Sequence, residues 1–120
     1  MNMPNDAATE MKARLRADLR TAMKARNATD AKVIRSLVAA LDNAEAPALP
    51  VDQKPAEAHP FASRSAEVER LRLTWPQVHD ILRGELQERE RAAAEFARLS
   101  KPEHAAALRE EAIVITRYLE

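Results

Sequence analysis

The chain has 120 residues and carries 19 Lys and Arg against 19 Asp and Glu, so its net charge at pH 7 is zero. That length supports one small domain with a single core, and the zero balance excludes a global attraction to nucleic acid or an anionic membrane. The absence of cysteine excludes disulfides, thiolate metal sites and cysteine nucleophiles, and suits a reducing compartment.

Hydrophobic residues make up 46% of the chain but aromatic residues only 3%, and there is one glycine. Such a composition favours helix and a thin core of Leu, Ile, Val, Met and Ala, so the fold class expected is all-α. No apolar run approaches the roughly 20 residues that cross a bilayer. The opening "MNMPNDAATE" lacks the build of a signal peptide. A cytoplasmic protein without membrane association is expected.

The first helix is expected to begin after Asn5 or Asp6, either of which can cap it, and to stop near Asn27. Met11, Leu15, Leu19, Ala22 and Met23 form its apolar face. Thr29 or Asp30 caps a second helix whose apolar set is Val33, Ile34, Leu37, Val38 and Leu41. The short connection makes the two an antiparallel hairpin.

Pro47, Pro50, Pro55 and Pro60 then recur among Ala, Asp and Lys. Residues 46–73 read as a proline-rich insertion or linker, partly mobile, with a short helix possible over 65–73 on Val68, Leu71 and Leu73. "TWPQ" is the strongest helix start: Thr74 caps, Pro76 lies in the first turn, and Gln77 completes a capping box. The helix it opens should run to about Leu99 with Val78, Ile81, Leu82, Leu86, Ala93 and Phe96 on its core face, and Gly84 marking a close helix crossing. "SKPE" repeats the signature with Ser100 as cap and Glu103 closing the box. The last helix carries Leu108, Ala112, Ile115 and Leu119 on one stripe, with Val114 and Tyr118 beside it. Two hairpins joined by a proline-rich segment predict a small antiparallel four-helix bundle spanning residues 1–120 as one domain.

Enzymatic constellations are thin. His59, His79 and His104 lie in separate segments without metal-helix spacing, so no metal site and no cofactor are expected. Ser36, Ser63, Ser65 and Ser100 lack nucleophile-elbow glycines, and a single glycine cannot build a phosphate-cradling loop. Glu85 and Arg89, four apart in the favourable order, read as an ordinary helix-surface pair worth about 0.3–0.5 kcal/mol. No catalytic residue is assigned.

The informative feature is a row of positive charge. Lys12, Arg16, Arg20 and Lys24 are spaced four apart and wind slowly round the first helix, and none has an acidic residue three or four positions away. Between Lys12 and Arg35 there are eight Lys or Arg and two acidic residues, Asp18 and Asp30, a balance of 8 − 2 = +6. Like charges at this spacing oppose the helix by a few tenths of a kcal/mol per pair, so something outside it should compensate. Three readings remain open: Asp80, Glu85, Glu88, Glu90 and Glu95 of the third helix facing the row, simple solvation of the row with its long side-chain stems covering the core edge, or the phosphate backbone of a nucleic acid. No aromatic side chains interleave the row, so nucleic-acid contact would be to backbone and shape.

Taken together, "TAMKARNATDAKVIRSLVAAL", "VHDILRGELQERERAAAEF" and "EEAIVITRYL" resemble the YqeY family, which is related to the tail domain of the B subunit of glutamine-dependent aminoacyl-tRNA amidotransferases. The resemblance rests on Ala22-Met23-Lys24, Val33-Ile34-Arg35, Glu85-Leu86 with Arg89, Glu95-Phe96 and Tyr118-Leu119, and covers roughly residues 11–45 and 74–119. It implies a non-catalytic helical accessory module that helps hold tRNA, linked only by kinship to carbon–nitrogen ligase activity with glutamine as amido-N-donor. Lys24, Arg26 and Arg35 lie in matched segments; Lys12, Arg16 and Arg20 join them as nucleic-acid-binding candidates on charge pattern alone. The family continues past the Tyr-Leu pair into a smaller helical subdomain, whereas this sequence ends at Glu120. Without that subdomain, Val114 and Tyr118 are expected to be exposed, which makes them candidates for a protein-partner or self-association interface on the last helix.

Overall fold

The computed structural model of the chain describes residues 6–47 and 70–120. They form four helices and no strand: α1 (Ala7–Lys24), α2 (Ala28–Glu45), α3 (Trp75–Arg98) and α4 (Pro102–Thr116). The protein is an all-α bundle of two helical hairpins, α1–α2 and α3–α4. Most of the proline-rich stretch, including Val68 and the greater part of the expected 65–73 helix, lies outside the described residues. Residues 70–73 are not helical. Their polar backbone is spent on other elements, since the Leu71 N–H donates to Glu45 O (2.8 Å) and Leu73 O accepts from the Ala7 N–H (3.3 Å).

The helix starts follow local chemistry. Asp6 caps α1 by accepting from the Thr9 N–H at 2.9 Å, and hydrogen bonds from Thr9 hold its carboxyl below the usual carboxylate range. Thr74 and Gln77 form the full reciprocal capping box of α3, with Pro76 in its first turn.

Two other starts differ from expectation for a common reason. Asn27, not Thr29 or Asp30, caps α2 by accepting from the Asp30 N–H at 3.0 Å. Ser100 does not cap α4: it has φ 63°, and Lys101 occupies the cap position without a side-chain hydrogen bond. Both hairpin turns are closed by the preceding helix. The Arg26 N–H reaches Met23 O and the Asn27 N–H reaches Ala22 O; the Ser100 N–H reaches Ala97 O and the Lys101 N–H reaches Phe96 O. Each is a Schellman closure with a non-glycine residue, Arg26 (φ 58°) or Ser100, in the left-handed position. Ser100→Gly should therefore raise stability by about 0.5–1 kcal/mol, read as a higher urea midpoint at constant slope.

The core gathers Ala8, Met11 and Leu15 of α1, Val33, Ile34, Leu37 and Leu41 of α2, Val78 and Leu82 of α3, and Val114, Ile115 and Tyr118 from the end of the chain. Leu73 closes it from the connecting segment. Helix α2 packs against all three other helices, while α1 and α4 do not meet along their lengths. Met23, expected on the core face, is 54% exposed, because twelve residues after Met11 it lies about 120° further round the helix. Phe96 is half-buried outside the main core and stacks on His104 with ring centroids 4.9 Å apart. Leu108 and Leu119 are likewise half-buried. Gly84 marks no crossing, since a Cβ built there meets nothing within 4 Å.

Candidate nucleic-acid interface

Because 3.6 residues complete a turn, each four-residue step along α1 advances about 40° round its axis. The row therefore starts at the edge of the core and ends on the outer face. Lys12, its first member, is buried, whereas Arg16, Arg20 and Lys24 are exposed.

Lys12 is committed to the interior. Its Nζ donates to Asp42 Oδ1 at 2.7 Å and to Glu45 Oε1 at 2.5 Å, joining α1 to α2, and Arg70 Nη1 adds a third contact to Glu45 at 3.3 Å. Burial pulls the ammonium's pKa down, but the hydrogen bonds to Asp42 and Glu45 and their charges more than offset it, leaving it above the ordinary lysine value. Lys12 is thus removed from the set of residues facing solvent.

Arg16, Arg20, Lys24, Arg26 and Arg35 are exposed, and none forms an ion pair with another described residue. Lys24 lies in the last turn of α1, where a cation also suits the negative end of the helix. Arg26 stands at the apex of the turn in the left-handed conformation. Arg35 projects from α2 back to α1, with Nη2 3.6 Å from Met23 Sδ. From Arg16 to Lys24 the rise is about 12 Å.

Among the described residues no ion pair joins an acidic residue of α3 to this face. Asp80 pairs with Arg83 at 3.0 Å, Glu85 with Arg89 at 2.7 Å, and Glu95 with Arg98, all within α3. The compensation expected from them is supplied to Lys12 alone, and from α2.

Glu85 and Arg89 are more than a surface pair. Arg89, whose side chain is 14% exposed, holds Glu85, donates Nε to Glu111 Oε1 of α4 at 3.3 Å, and donates Nη2 to Ser36 Oγ of α2 at 2.9 Å. Lys32 of α2 completes the network on Glu111 at 3.0 Å. The spacing rule that finds the intrahelical pair is blind to the two helices it reaches.

Val114 and Tyr118 are each 2% exposed, so the expectation of an apolar interface formed by them is overturned. The first hairpin covers them. Tyr118 Oη donates to Asp18 Oδ2 at 2.6 Å, the Arg14 guanidinium lies 4.6 Å from the Tyr118 ring centroid, and Arg117 forks onto Asp30 at 3.0 and 3.4 Å. Burial, then the hydrogen bond to Asp18 and its charge, push the phenol well above its usual range.

His79 lies beside Trp75 and His104 beside Phe96, while His59 is outside the described residues. Among the described residues no cluster of His, Asp or Glu is placed to hold a metal ion, and no helix is long and apolar enough to cross a membrane. No protein-family model, curated protein or solved structure matches the chain.

Proposed function

We propose that the chain is a non-catalytic helical module that holds tRNA by its phosphate backbone, through the outer face of α1 and the α1–α2 turn. The observation that carries this reading is the set of five exposed cations, Arg16, Arg20, Lys24, Arg26 and Arg35, without carboxylate partners among the described residues in a chain of zero net charge. Segregation of charge on a neutral chain gives a local field where the whole molecule has none. The resemblance to the YqeY family supports tRNA over other polyanions, and on the same reading any amide transfer from glutamine is performed by other domains. The last helix offers less: its two candidate contact residues are core.

The test is binding of tRNA at 50 and 200 mM salt by the native chain and by a variant carrying Arg16→Glu, Arg20→Glu and Lys24→Glu, with helicity checked by circular dichroism. Five phosphate contacts predict an affinity loss on the order of 10²- to 10³-fold between the two salt concentrations, and loss of binding in the variant. A native chain that does not bind tRNA at 50 mM salt refutes the proposal.

A further inference from the structure

The basic turn has one acidic neighbour in the first turn of α2, Asp30, three residues beyond the cap Asn27. The Asp30 backbone N–H is held by Asn27, the residue after Arg26, so an unpaired carboxylate there would put a negative charge beside the turn and repel a phosphate. It is not left alone. Arg117, contributed by the chain immediately after α4, donates Nη1 to Asp30 Oδ2 at 3.0 Å and Nη2 to Oδ1 at 3.4 Å. The Asp30 side chain is only 17% exposed under this fork. Arg117 is itself fixed: Arg14 Nη2 donates to its carbonyl oxygen at 3.2 Å, and the next residue, Tyr118, is anchored in the core with its hydroxyl on Asp18.

From this geometry we infer that Arg117 is a positioning residue for the RNA-binding face: the C-terminal end of the second hairpin cancels the carboxylate beside the basic turn of the first. This rests on the proposed function and deepens it, because it makes binding depend on a residue 87 positions away in sequence that touches no phosphate. The Asp30 charge is offset only when the two hairpins are docked. By linkage, RNA bound to the first hairpin holds the C-terminal residues in place as firmly as they favour RNA.

The inference is tested by a double-mutant cycle on the full chain, with tRNA as the probe at 50 and 200 mM salt: native, Arg117→Met, Asp30→Asn and the double variant, with Arg117→Lys as the charge-conserving control. Arg117→Met should weaken binding about two- to fivefold at 50 mM and less at 200 mM, since one unmasked charge near the face is screened by salt. Asp30→Asn in the Arg117→Met background should restore native affinity, and Arg117→Lys should retain most of it. If the native chain binds and Arg117→Met binds equally, the ion pair is structural only and the inference falls. If Arg117→Met weakens binding, lowers the salt slope by about one and is not rescued by Asp30→Asn, Arg117 contacts phosphate directly and the inference also falls. A native chain that fails to bind refutes the function on which the inference stands, a result distinct from either.

Discussion

Replacing Arg89 by Ala is expected to lower the stability of the fold by about 3 kcal/mol. Its guanidinium is the hub of contacts among three helices, to Glu85 on α3, Glu111 on α4 and Ser36 on α2. Truncation leaves the Glu111 carboxylate, 10% exposed, with only the outlying ammonium of Lys32. An under-satisfied buried charge costs far more than a surface pair contributes. The comparison is Arg83→Ala, which removes an exposed pair with Asp80 and should cost under about 0.5 kcal/mol. Urea unfolding reads both as midpoint shifts at constant slope. The double variant Arg89→Ala, Glu111→Ala should cost less than the sum of its parts by at least about 1 kcal/mol, because each single change strands the charge that the other removes. An Arg89→Ala loss no larger than that of Arg83→Ala would show that the three-helix network is not formed in solution.

What was legible in the sequence is what is settled within a few residues. The Thr74 box, the Asp6 cap and the apolar stripes of α2 need only local spacing, and all are present. Failures at Asn27 and Ser100 come from reading each helix start in isolation. A three-residue link has to finish one helix before it opens the next, and the left-handed residue that does this is usually announced by glycine. Arg26 and Ser100 give no such signal. The burial of Tyr118 has another source: its partners Asp18 and Arg14 lie about a hundred positions away, where periodicity carries no information. For Lys12 a signal did exist. The 40° drift of a four-residue row carries it across the helix surface, and Lys12, nearest the stripe of Met11 and Leu15, is the member at the core edge.

Lys12 therefore differs from the rest of the row in what it contributes to stability. Lys12→Ala should cost about 3 kcal/mol or more, unlike any exposed member of the row, whose replacement by Ala should stay within about 0.5 kcal/mol. Lys12 shares Glu45, 2% exposed, with Arg70, and its loss leaves that carboxylate at the C-terminal end of α2, where the helix dipole disfavours it. Because the pair is buried, 1 M salt should leave the Lys12→Ala cost nearly unchanged, although it should suppress the proposed RNA binding by Arg16, Arg20 and Lys24. The pH dependence has a definite sign. The folded-state pKa of Lys12 lies above its ordinary value of 10.5, so its contribution is complete below that value and disappears as pH rises through the raised one. Tyr118 behaves alike from its ordinary value of 10.0, since its neutral form is the one the core and Asp18 favour. Native stability should thus be set by neither group's titration near neutrality and should fall above about pH 10, measured by urea midpoints from pH 8 to 11.5. Tyr118→Phe should flatten part of that fall and Lys12→Met another part. An alkaline fall unchanged in both variants would mean that these two groups titrate in the folded chain as they do in the unfolded one, and that neither the Lys12 clasp nor the Tyr118–Asp18 bond persists in solution.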